Sequence, residues 1–220
     1  MTSAEPSSAT ATGAQVQGRP RIESLSDLVF GLALSLGAFA LVANPPNDAT
    51  TLYSDLATFG FSFLILIVVW LAYTRLMTVL AQEHQSTLLL NVVLLFSVSI
   101  EPFLLNVLVR QGLSTSFFGA VSQAYAVDLG VMITLLGLFA WVVTRSASGV
   151  LRDGVRKGFR REALNRWLAA GLFFASAAPL FDQFEILSEP FRVWIWVVAV
   201  GIVWATRLGG LYPRHKDGAE

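Results

Sequence analysis

The chain has 220 residues, of which 55% are hydrophobic and only 14% charged, with fifteen basic residues balanced by fifteen acidic ones and a mean hydropathy of +0.63. Such a composition excludes an ordinary soluble domain and points to the membrane, while a net charge of zero gives no general footing for nucleic acid. The absence of cysteine removes disulfides, thiolate metal sites and thiol catalysis together.

Residues 1–18 are rich in Ser, Ala, Thr and Gly, which predicts a disordered tail over 1–20. Six apolar runs follow, at Leu28–Ala43, Leu56–Leu80, Leu88–Val109, Gly119–Thr144, Trp167–Phe181 and Phe191–Thr206. Most approach the roughly 20 residues a helix needs to cross a bilayer. They do not alternate apolar with polar, so barrel strands are excluded and helices are expected. The fold class is therefore an all-α membrane protein with six transmembrane helices over residues 21–208, followed by a tail over 209–220.

The first run, read at 100° per residue, carries two stripes. Leu28, Leu32, Ser35, Leu36 and Phe39 share one side, bulky except for a single hydroxyl, and Ala33, Gly37 and Ala40 form a neighbouring face of small residues. Small faces allow close helix approach in membranes. A cleaved signal peptide is the competing reading, since Ala38-Phe39-Ala40 imitates a processing site, but Glu23 and Asp27 stand where a signal peptide carries only positive charge. Just before the run, Ser24-x-x-Asp27 reads as a capping box, and the charges Arg21 and Asp27 read as partners for other spans, because an unpaired charge near the hydrocarbon is expelled.

Basic residues set the orientation. With both termini cytoplasmic, thirteen of the fifteen lie at inner helix ends or in inner loops, and only Arg110 and Arg192 fall outside, where Asp48, Asp55, Asp182, Glu185 and Glu189 gather. The basic stretch Arg145–Arg166 reads as an inner loop that marks topology and attracts anionic headgroups. His84 and His215 are expected in solvent on the inner side, Trp141, Trp167, Trp194 and Trp204 near the interfaces, and Gly149 and Gly154 in turns or hinges. Glu101 and Asp128 fall within spans three and four, which makes them candidates for a cation vestibule, a proton site or buried hydrogen bonds.

The residues Arg21, Leu25, Ser26 and Asp27 spell R-x-x-x-L-S-D, followed by Val29-Phe30, and the third run contains Asn91 and Pro102-Phe103 in NVVLLFSVSIEPF. This pattern resembles the R-x-x-x-F-S-D signature and third helix of the transmembrane protein 175 family, lysosomal-type potassium channels with single-repeat prokaryotic members. The resemblance covers about residues 20–208. It departs at Leu25, where the family has phenylalanine, at Glu101, where an apolar residue is usual, and in VVWLAYTRLM, which lacks a histidine.

The resemblance implies a homotetramer in the cell membrane whose first helices line a central potassium pathway. It implies hydrophobic constrictions at Leu32, Leu36 and Phe39, a selectivity hydroxyl at Ser35, and a scaffolding network at Arg21, Leu25, Ser26 and Asp27. Potassium is the expected cargo, with membrane lipids around the protein and no cofactor, bound metal or nucleic acid. A proton-coupled transporter using Asp27, Glu101 or Asp128, and a non-conducting membrane interaction protein, are the alternatives; no nucleophile–base pair or phosphate loop suggests an enzyme.

Overall fold

The computed structural model describes residues 21–43, 45–79, 85–109, 114–146, 153–182, 184–186 and 189–211. The expected tail over 1–20, most of the C-terminal tail, Arg110, His84, His215 and Gly149 lie outside the described residues, as does the side chain of Arg21. Six helices run in chain order: α1 (Arg21–Ala43), α2 (Ala49–Met77), α3 (Gln85–Leu108), α4 (Thr115–Ser146), α5 (Asp153–Ser176) and α6 (Phe191–Leu211). Among the described residues, a two-residue hairpin pairs Glu185 with Pro190 and Ile186 with Glu189 just before α6.

Local chemistry explains several helix ends. Asp48 has extended backbone and accepts from the Thr51 amide at 2.7 Å, capping α2, and the same amide holds the Asp48 carboxyl below the ordinary carboxylate range. Ser114 caps α4, its carbonyl taking the Phe118 amide at 2.9 Å. The capping-box reading of Ser24 and Asp27 is corrected. Helix α1 already includes Arg21, so both residues stand inside it, and Asp27 reaches sideways to another helix.

Among the described residues, four helices contain stretches long and apolar enough to cross a membrane, Ser24–Ala43, Ala49–Met77, Thr87–Leu108 and Thr115–Arg145, and the described apolar part of α6 is shorter, Phe191–Trp204. Helix α5 differs from expectation most. The basic stretch from Asp153 to Arg166 is the first half of this helix instead of a loop, and the helix ends at Ser176 before a short turn of 3-10 helix, Pro179–Asp182. Polarity does not oppose helix formation when Phe159, Ala163, Ala170 and Phe173 recur at helical spacing and are buried.

Helix α4 occupies the centre, packing on α3 and α5, while α6 covers α5 and α1 lies against α2 and α3. Tyr125, Met132 and Phe139 on α4 are fully buried, and aromatic rings join the layers: Phe30 of α1 meets Tyr73 of α2 at 6.0 Å, and Tyr73 meets Phe139 edge-on at 6.1 Å. Close α4–α5 contact depends on small residues. A Cβ added to Gly130 would lie 2.9 Å from the Phe174 ring, and one added to Gly137 would run into the Trp167 indole.

Arg192 is buried at the start of α6. Its guanidinium donates to the Ser176 carbonyl at 2.6 Å, to the Gly119 and Ala178 carbonyls, and to the Ser122 hydroxyl, tying α4, α5 and α6 at one end. Midway along α5, Arg166 donates to the Leu136 carbonyl at 2.9 Å and to Glu162 at 2.6 Å.

Candidate functional site

The two stripes of α1 meet different surroundings. Phe30 and Ala33 are 2% and 1% exposed, whereas Leu32, Leu36 and Phe39 are 57%, 50% and 66% exposed. Gly37 sits against Phe59 of α2, and a Cβ there would touch that ring at 3.5 Å and Pro102 of α3 at 4.0 Å. The small face thus packs inward, as its residues predict, and the bulky stripe is left uncovered by its own subunit. Ser35, exposed on that stripe, donates its hydroxyl proton to the Gly31 carbonyl at 2.8 Å, so its oxygen keeps its lone pairs directed away from the helix backbone.

At the base of the stripe, the motif residues are held by other helices. The Ser26 hydroxyl, fully buried, lies 2.8 Å from the Tyr73 hydroxyl of α2 and accepts from Asn91 Nδ2 of α3 at 3.2 Å. The Trp70 indole of α2 donates to Asp27 at 3.0 Å. Partners from separate spans are what a polar group at a helix base requires. Leu25 is exposed and does not join this network. Sequence alone does not single out Trp70 and Tyr73; the available signal is an indole and a hydroxyl donor in an otherwise apolar span.

Glu101 and Asp128 lie elsewhere, between α2, α3 and α4. Glu101 is fully buried and accepts from Ser62 at 2.6 Å and Tyr125 at 3.3 Å. Asp128 is 9% exposed and is hydrogen-bonded to Ser97. Neither shares the exposed face of α1. Among the described residues, no group of three or more His, Asp or Glu side chains is placed to hold a metal ion.

Residues 21–102, which contain the motif, α1 and α3 as far as Pro102, match the family model of the endosomal/lysosomal potassium channel TMEM175. Over that stretch the chain is similar to the TMEM175 family. The TMEM175 likeness extends to the fold of the whole bundle. A crystal structure of the potassium channel MtTMEM175 T38A variant, solved with a nanobody-MBP fusion protein, superposes with a TM-score of 0.64 at 18% identity, covering 90% of this chain and 96% of that one. A lysosomal potassium-selective TMEM175 homolog from Chamaesiphon minutus superposes with a TM-score of 0.58 at 20% identity, covering 84% and 96%. No curated protein sequence matches the chain.

Proposed function

We propose that this chain is the subunit of a potassium channel, a homotetramer in the cell membrane with six spans per subunit and cytoplasmic termini, in which copies of α1 surround the ion path. The observation that carries the reading is the uncovered stripe of Leu32, Ser35, Leu36 and Phe39 beside a packed inner face. One narrow apolar face cannot enclose a path, but symmetric copies around an axis can.

Leucine rings offer no ligand, so discrimination in such a path works through dehydration: the ion that sheds water more cheaply crosses with the smaller penalty, which favours potassium over sodium. The Ser35 oxygen, with its proton committed to Gly31, can replace part of the lost shell. Narrowing the Leu32 ring expels water and shuts the path by dewetting. The Ser26 and Asp27 bonds to α2 and α3 fix the base of α1 so that rotation of α1 changes the stripe's diameter.

Purified full-length protein in liposomes tests the reading. Current that reverses at the potassium equilibrium potential supports it. Saturable uptake driven by a proton gradient would identify a carrier instead, and electrical silence would remove conduction altogether.

A further inference from the structure

Two carboxyl groups remain unused by the pore. Glu101 is fully buried, and each of its oxygens meets a hydroxyl, Ser62 from α2 at 2.6 Å and Tyr125 from α4 at 3.3 Å. Asp128 follows Tyr125 by three residues and so lies on the same side of α4. One of its oxygens is engaged by Ser97 of α3, but Oδ2 is buried with no hydrogen-bond partner among the described residues. Ser97 precedes Glu101 by four residues on α3, so the partners of both carboxyls lie on the same side of that helix. No basic side chain among the described residues is bonded to either carboxyl.

Two ionised carboxylates in such a place would each lose hydration and repel one another. A bound proton removes the repulsion and the desolvation cost of the carboxyl that it neutralises. Ser62 and Tyr125 suit a group that changes state, because a hydroxyl can donate to a carboxylate and accept from a carboxylic acid.

An entry exists. A cleft of about 60 Å³ between the C-terminal ends of α1 and α3 and the first half of α2 is lined by the polar groups Asp55, Thr58, Ser62 and Asn106. Ser62 belongs both to this wall and to the Glu101 hydrogen bond, so a proton arriving by water is one hydroxyl from the buried acid. The surrounding elements add few charges. Asp55 on α2 lines the cleft, α1 contributes Gly37, Ala40 and Leu41, and α6 lays Trp196 against the Tyr125 ring at 5.4 Å. Arg192, one turn before Trp196, directs its guanidinium to Ser122 and to backbone carbonyls.

We infer that Glu101 and Asp128 form a proton-binding site within the α2–α3–α4 core, apart from the pore stripe and loaded through the Ser62 cleft. In the loading step a hydronium ion in the cleft gives a proton to the Ser62 hydroxyl as that hydroxyl passes its own proton to Glu101, and a neutral water is left in the cleft. The next residue after Glu101 is Pro102, whose ring flanks Gly37, so the charge state of the site reaches the packed face of α1. The effect on conduction rests on the channel reading; the proton site itself does not.

The test uses full-length protein in liposomes, titrated from above to below the ordinary carboxylate range while difference infrared spectra follow the carbonyl stretch of protonated carboxyls. Glu101→Gln and Asp128→Asn should each remove part of the band, and each should shift the titration midpoint of the part that remains, the signature of a coupled pair. Bands that keep their midpoints when the other acid is neutralised overturn the site. Potassium flux in the same vesicles should respond to acidification in the native protein and lose that response in Glu101→Gln; a response retained in full overturns the link to α1. Coupled bands without any flux would uphold the site and sink the channel reading. If Glu101→Gln fails to assemble on size exclusion, Asp128→Asn and Ser62→Ala carry the same comparison.

Discussion

A single oxygen, Ser26 Oγ, joins three helices through Tyr73 and Asn91. Because the site is buried, replacing the hydroxyl by hydrogen removes a partner from two polar groups at once. Ser26→Ala is expected to cost about 1–3 kcal/mol, read as an earlier midpoint in thermal unfolding followed by circular dichroism in detergent. Trp70→Phe, which deprives only Asp27, should move the midpoint less. That Ser26 and Asp27 need partners from other spans was legible from their charge and polarity at a helix base. The identity of those partners was not, since Tyr73 lies 47 residues and Trp70 43 residues along the chain and no spacing rule connects them. Glu101 was legible as a group in need of an explanation, but its hydroxyl partners became visible only in the packed bundle.

Among elements, the α4–α5 pair shows how backbone approach is set by what is missing from a side chain. The Cβ of Gly137→Ala would displace the Trp167 indole, itself tilted against Trp141 at 5.8 Å, so overpacking should cost about 1–3 kcal/mol. Gly171→Ala, where a Cβ meets nothing within 4 Å, should instead stabilise α5 by about 0.5–1 kcal/mol. Opposite movement of the two unfolding midpoints is the check. Helix positions for α2, α3 and α4 followed from apolar length, and their observed ends differ from the expected ones by one to four residues except at the start of α2, which begins seven residues earlier, at Ala49. Helix α5 was half missed for a physical reason: charge says where a segment sits relative to lipid, not whether its backbone is helical. Arg156, Lys157, Arg160 and Arg161 are exposed on a helix whose other side is buried.

For the whole molecule, the decisive question is what faces the axis. The native chain has no cysteine, so one introduced thiol reports on its position without background. Potassium flux through Leu36→Cys should be blocked by a water-soluble thiol reagent, while Val198→Cys, comparably exposed on α6, should leave flux untouched. Equal sensitivity of the two would place α1 on the periphery. Leu32→Ala should raise conductance and narrow the difference between potassium and sodium, and an unchanged current–voltage relation would remove Leu32 from the gate. The stripe itself was legible from helical periodicity. Its exposure was not, because a repeat of leucines reads the same whether it faces lipid, core or a symmetry axis.

The bond from Ser35 to Gly31 carries one more consequence. With its hydrogen turned back into the helix, the hydroxyl shows passing solute only the negative side of its dipole, and the neighbouring leucines show nothing polar at all. In the proposed path chloride would find no donor to replace a lost water, so anions should be refused at this level without any fixed charge, and an unchanged reversal potential on replacing chloride by a larger anion is the expected result.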